Sequence, residues 1–353
     1  MPGLIDTTGG LRQGSGLYWH SGLTGGPGLR NTLFLAGATL DMNFTSGAYL
    51  GATPANLTVT RAGTNATDLT YDQTGRTSYN SFSANTLRNV ADGRGMLVEE
   101  SRTQYLGVTD APATQTTSSL GTGSYTLWVI GAGSAAVSAG TATITGAGSA
   151  TAGTPLTFTV TVAGTVVVTK TGSLTFFQLE NGAFATSYIP NAGAAGSTST
   201  RNADAVSLAF SMSMPLSAYV EGITSKISSA NQIMLDINDG TLNNRLAVIQ
   251  ILTTGAIQSG YTVSGVGQAP VVSGYSATGN AVTKAAIAAA NSDHAITANN
   301  TSVVSNTTTG LTGINKITMG SNSSTGAVYN GFIRRVAYFP SRLGNTTLQA
   351  ITA

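Results

Sequence analysis

Between Asp110 and Glu180 the chain carries one charged side chain, Lys170. That stretch is written in Gly, Ala, Ser, Thr and Val, and it typifies the molecule. Only 8% of the residues are charged, where ordinary soluble domains carry about 25%. Catalysts need convergent acids, bases or nucleophiles with tuned ionisation. A chain so poor in ionisable groups is a poor catalyst and reads as a scaffold: small side chains, short strands, a surface of hydroxyls and amides. The class it points to is structural or adhesive, and we expect no enzymatic activity and no cofactor.

Composition narrows this further. A length of 353 residues predicts two or three domains, and a hydrophobic content of 41% is enough for real cores. The formal net charge of +2 gives no electrostatic footprint for nucleic acid. With no Cys, disulfides, thiol catalysis and thiolate metal sites are excluded together. The opening Met1-Pro2-Gly3-Leu4-Ile5-Asp6 has neither a basic region nor an apolar run, so no export signal is expected. No apolar run approaches the length of a spanning helix, and no membrane insertion is expected. Low charge removes the repulsion that keeps proteins apart, which favours burial of flanks in a homo-oligomer.

Local pattern divides the chain. Residues 1–35 are Gly-rich with isolated anchors, among them Tyr18, Trp19 and Leu23, and read as an extended attachment arm. Residues 36–95 are β-rich and turn-rich, an attachment region or part of a first sandwich. From 96 to 195 strands follow one another at short intervals. Leu156–Val162 has apolar residues at every second place, the period of a half-buried strand. Tyr125–Ile130, Thr141–Thr145, Thr165–Thr169 and Leu174–Glu180 read the same way, with Gly164 and Gly172 at turns. This spacing predicts a jelly roll or sandwich. Residues 190–200 read as a linker, and 196–353 as a second β-sandwich. Its strands are predicted at 217–225, 232–238, 245–252, 257–263, 282–289, 294–297, 314–319 and 332–339. Asn238-Asp239-Gly240 is a hairpin signal, and one helical turn is expected near 345–350.

The chemistry-bearing residues are few. His20 and His294 are the only imidazoles, and both read as surface or turn residues. His294 adjoins Asp293, but neighbours on a strand point to opposite faces and cannot share a proton easily. Glu99 and Glu100 fail as a glycosidase pair for the same reason. The expected role of Glu99 is a salt bridge to Arg102 or Arg201, with Glu180 and Asp204 as the other acids of the region. Asp236, Asn238 and Asp239 offer oxygen ligands suited to Ca²⁺, but the spacing is not that of an EF-hand loop, and a polar hairpin turn is the expected reading. For sugar binding, exposed rings matter most, since a pyranose stacks on a ring face. Trp128 alternates within an apolar strand and reads as core. Tyr275, Tyr329 and Tyr261, with Asn330, are the candidate glycan-binding residues, and Tyr275 and Tyr329 are expected to be exposed.

Three segments resemble a known family. Gly95–Leu106, reading Gly-Met-Leu-Val-Glu-Glu-Ser-Arg-Thr-Gln-Tyr-Leu, resembles a block of tailed-phage virion proteins, with Gln104 where that block has Asn. Phe177–Pro190, followed by Arg201-Asn202-Ala203-Asp204, resembles a second block of the same proteins. Tyr329–Leu343 with Leu348–Thr352 resembles the closing strand and short helix of their concanavalin-A/laminin-G-like domains. The resemblance implies an all-β chain: an extended N-terminal arm, a carbohydrate-binding-module-like jelly roll and a laminin-G-like sandwich. It implies a structural protein on the virion surface, as capsid decoration, head fibre or tail fibre. The implied partners are other virion proteins and a host-surface glycan, in a homotrimer. The alternatives are a depolymerase-type tail spike and a secreted bacterial lectin. The spike usually needs a long parallel β-helix, and no such repeat is visible.

Overall fold

The computed structural model describes residues 17–18, 34–90, 92–224, 230–307, 310–324 and 326–353. The described chain is almost wholly strand, with one α-helix, Asn345–Ile351. It divides into two compact units, and both are discontinuous. One comprises Thr60–Arg88 and Glu99–Asp204; the other comprises Met1–Val59, Asn89–Val98 and Ala205–Ala353. Each unit is built on antiparallel sheet, and each recruits segments from residues 36–95. Trp19 and Leu23 lie outside the described residues, as does His20. Leu17–Tyr18 forms a two-residue ladder with Phe34–Leu35. Leu35 belongs to the fold rather than to an arm: it is buried with Tyr219, Ala337 and Phe339.

In the Thr60–Asp204 unit, one antiparallel sheet runs Thr143–Thr145, Leu156–Val162, Gly123–Ala139, Val166–Asn181, Arg102–Gln104 and Ser199–Arg201. Its spine is the ladder between Gly123–Ala139 and Val166–Asn181, of 17 and 16 residues. The expected turn at Gly172 does not form. The strand runs through it in register with Gly133, and the irregularity that bends the pair falls at Ile130/Gly131. Alternation decides which face each side chain takes. Leu127, Val129, Phe177 and Leu179 pack with Phe158 and Val160 on one side. Trp128, Ile130 and Phe176 pack with Leu69, Ala185 and Tyr188 on the other. The predicted core place of Trp128 is therefore found, and both faces are covered.

In the other unit, two sheets face each other. The first runs Val266–Gly267, Ala256–Val263, Arg245–Gln250, Gln232–Asn238, Lys316–Met319 and Ala205–Ala209, with Val271–Ser276 also on Ala256–Val263. The second runs Val304–Asn306, Asp293–Ala298, Val282–Ala290, Leu216–Thr224, Gly331–Phe339, Leu40–Asn43 and Ala48–Leu50. Gly95–Val98 pairs the start of Gly331–Phe339. The strands at 40–50 and 95–98 therefore complete this C-terminal sandwich. The hairpin at Asn238–Gly240 joins Gln232–Asn238 to Arg245–Gln250 as the turn signal predicts. Val220, Ala285, Ile287 and Ile296 are in register on the inner face of the second sheet. Its outer face, with Ala286, Ala288 and Ala295, is covered by Leu348 of the helix.

Candidate functional site

The first two sequence blocks, which lie 70 residues or more apart, meet in one buried ionic centre. Glu99 Oε1 accepts from the Ser187 N–H at 2.7 Å, and its Oε2 from Arg88 at 2.8 Å and from Ser187 Oγ at 2.5 Å. Arg201 stands 3.3 Å from the same oxygen. Asp204 Oδ1 accepts from Arg61 at 2.7 Å. Its Oδ2 accepts from Arg88 and, at 3.0 Å, from the Glu99 N–H. Arg61, Arg88 and Arg201 are among the largest fully buried side chains of the chain. Burial alone would raise the Glu99 pKa, but Arg201 and Arg88 outweigh it and hold the carboxyl down at about 2. Burial likewise opposes charge on Arg88, and Asp204 and Glu99 more than offset it. The expected Glu99–Arg201 pair is present; Arg102 instead pairs Glu100 at 2.5 Å. Arg61 ends a short β-type run and Arg88 stands in polar, turn-rich text, and neither pattern pointed to an ionic partner. Glu180 sits nearby without a direct ion pair. It accepts from Trp128 Nε1 at 3.2 Å, Gln178 Nε2 at 3.0 Å and the Thr186 N–H at 2.8 Å, and burial raises its pKa. Every carboxylate oxygen here is spoken for, so the centre holds structure together and offers no free base.

The candidate sugar-binding residues do not form one surface. Tyr329 is fully buried, against expectation, as is Tyr261 at 2% exposed; Asn330 is 5% exposed. Tyr275 alone of the four is half-exposed. The turn-like text around Asn330 is real, since its φ is +52°, but the turn is folded inward, where Asn330 Nδ2 donates to the Val328 carbonyl at 3.2 Å. The Ca²⁺ candidates also separate. Asp239 caps its own turn through Thr241 and Asn244. Asp236 lies on the sheet beneath Arg245 at 3.2 Å.

His294 is a second correction. Its ring is wholly buried, 4.8 Å from the Tyr261 ring, because the inner face of Asp293–Ala298 places it between the sheets. Neither ring nitrogen has a hydrogen-bond partner among the described residues. Burial pushes its pKa down to about 4, against the pull of Asp293. The folded pKa is below the unfolded value of about 6.5, so the unfolded chain takes up the proton first. Stability from this group is full above about pH 6.5 and declines as pH falls to about 4, by about 3 kcal/mol. Asp236 slopes the other way, since burial raises its pKa to about 6. Thermal melts of His294→Leu and the parent at pH 7.5 and 4.5 isolate the imidazole. The variant should lose much less on acidification, and parallel losses would refute the assignment.

The outer face of the first sheet is buried in its middle, where Asp236, Asn238, Thr318 and Ala247 are at most 3% exposed, and opens toward Ala205–Ala209, where Ala209 is exposed and Ser207 and Lys316 are half-buried. Register places Ala209, Lys316, Asn238 and Arg245 in one row across the first sheet of this unit, and Ser207, Thr318, Asp236 and Ala247 in the next. These are the side chains alternate to the core set. Asn238 Nδ2 donates to Thr318 Oγ1 at 3.2 Å, which fixes the middle of the face. A cleft of about 510 Å³ opens along it, lined by Thr58, Ser207, Ala209, Phe210, Ser211, Asn315 and Lys316. It offers hydroxyls, an amide, one ammonium and an aromatic edge. Such groups pair with hydroxyl-rich ligands; they supply no nucleophile–base pair. The sequence signal for this face was the polar half of each alternating strand. Among the described residues, no group of three His, Asp or Glu is arranged to hold a metal ion. No helix among them is long and apolar enough to cross a membrane.

No protein-family model matches the chain, and no curated protein matches it. Solved structures are similar in part. The Ruminococcus gnavus IT-sialidase CBM40 bound to α2,3-sialyllactose is 17% identical, over 40% of this chain and 84% of that one, with a TM-score of 0.34. Domain 4 of AbnA, a GH43 extracellular arabinanase from Geobacillus stearothermophilus, in complex with arabinotriose, is 13% identical over 43% of this chain and 73% of that one, with a TM-score of 0.36. Mouse laminin α1 chain domains LG4-5 are 10% identical over 67% of this chain and 87% of that one, with a TM-score of 0.28. Scores of this size assign no ligand to the present chain.

Proposed function

We propose that this chain is a non-catalytic structural protein of a tailed-phage virion surface, as capsid decoration, head fibre or tail fibre, and that its C-terminal sandwich holds a host-surface glycan. The observation that carries the glycan reading is the cleft at Ser207, Phe210, Asn315 and Lys316, at the accessible end of the sheet face. The virion placement rests on the resemblance of the three sequence blocks. The non-catalytic reading is supported by the saturation of Glu99 and Asp204 in the ionic centre and of Glu180 among neutral donors. A depolymerase would need two of these carboxyls free and facing one sugar. A homotrimer belongs to the same proposal, since closed symmetry covers sheet edges.

Purified protein is expected to bind host polysaccharide without shortening it. Ser207→Trp, which fills the cleft, and Lys316→Ala should each weaken binding about tenfold or more, the equivalent of about 1.4 kcal/mol. Unchanged binding in both variants would remove the site, and a fall in polymer size would remove the non-catalytic reading. Antibody labelling of particles tests the virion placement separately. An arm deletion for that purpose should stop before Phe34, since Leu35 is core.

A further inference from the structure

The interior of the C-terminal sandwich buries several neutral polar side chains that are separate from the cleft. Gln232 and Gln250 are directly opposed on neighbouring strands and are each 1% exposed. Among the described residues, all four of their side-chain polar atoms lack a hydrogen-bond partner, and so do Thr283 Oγ1 and Tyr329 Oη. Thr283 stands opposite Gly222 in the facing sheet. Gly222 leaves open the space that Tyr329 enters: a Cβ there would lie 2.9 Å from Tyr329 Oη. The two groups are joined through the backbone. The Tyr329 N–H donates to the Gly320 carbonyl at 2.8 Å, and the Gly320 N–H donates to the Met234 carbonyl at 3.0 Å, two residues from Gln232.

We infer that these four side chains form an internal hydration site that binds a small cluster of ordered water molecules. Six buried atoms left unsatisfied would cost a sum comparable to the net stability of a whole domain, so they are satisfied. The ligand must both donate and accept, because two amides and two hydroxyls do both. It must be neutral, because none of the four side chains is charged, and it must be small, because all four are buried. Water meets each condition. A metal ion would require carboxylates, and an anion would require cations.

Oxygen-17 relaxation dispersion on the full chain counts long-residence internal waters. Tyr329→Phe keeps the ring and removes one partner; Gln232→Leu with Gln250→Leu removes four of the six atoms. Each variant should hold fewer long-lived waters than the parent, and a high-resolution crystal structure should show waters at hydrogen-bonding distance from Tyr329 Oη and both amides. An unchanged count in Tyr329→Phe would overturn the inference, as would a crystal structure with the two amides and the phenol bonded directly to one another. If the double leucine variant fails to fold, the near-isosteric Tyr329→Phe decides alone.

Discussion

Glu99→Gln is expected to destabilise the Thr60–Asp204 unit by about 3–5 kcal/mol, the usual cost of removing one partner from a buried ion network. The loss is large because Glu99 Oε2 faces both Arg88 and Arg201. A neutral amide leaves three buried guanidinium groups, Arg61, Arg88 and Arg201, with Asp204 as the remaining carboxylate partner in the network. Arg88 would then be half-compensated through Asp204. Trp128 reports on this unit, since it packs in the same interior. Urea titrations followed by Trp128 fluorescence, with Trp19 replaced by Phe to remove the second signal, would give the change. Equal midpoints for parent and variant would show that the network contributes nothing. Acid has a predictable effect on the parent. The folded Glu99 pKa of about 2 is below its ordinary value of 4.5, so its contribution is intact above about pH 4.5 and is lost as pH falls through about 2.

Gly182→Ala should cost about 2–5 kcal/mol, combining a strained backbone with a core clash. Gly182 has φ +110°, and a Cβ there would fall 1.1 Å from Arg102 Nη1. That guanidinium cannot swing away cheaply. It bonds the Asn181 carbonyl, pairs Glu100 at 2.5 Å and lies 4.3 Å over the Phe184 ring. Gly240 separates the two causes. It has φ +87° and nothing within 4 Å of its Cβ position, so Gly240→Ala should cost about 1 kcal/mol from backbone strain alone. If the two alanine variants melt together, the Arg102 contact is not what makes Gly182 necessary.

Strands were legible in the sequence where apolar residues alternated, as in half-buried Leu156–Val162, and also where the strand is buried throughout, as in Gln232–Asn238. Leu156–Val162 and Gln232–Asn238 fall where the text places them, and the closing helix differs by a residue. Gly172 misled because glycine marks both turns and long strands that bend, and only the partner strand decides which. The ionic centre was half legible. Arg201 and Glu99 stood in recognisable blocks, whereas Arg61 ends a short β-type run and Arg88 lies in polar, turn-rich text, and neither points to a partner. Burial of charge depends on what arrives from 100 residues away, and periodicity carries no trace of it. Tyr329, Tyr261 and His294 failed for the converse reason: polar neighbours in sequence suggested solvent, while strand register turned Tyr261 and His294 inward and the segment before Gly331–Phe339 carried Tyr329 inward.

The interleaving of the two units sets a timetable for synthesis. Leu40–Asn43 has its ladder partner in Gly331–Phe339, about 290 residues later. At about 5–20 residues per second, that strand leaves the ribosome some 15–60 s before its partner exists. The intervening Thr60–Asp204 unit can close first, because its last ion-pair partner, Asp204, is made about 130 residues before Gly331–Phe339 is complete. At the same rate the nascent chain is held for about 7–27 s with a finished middle and an open sheet edge. During that interval chaperones, proteases and neighbouring nascent chains have their greatest access to it.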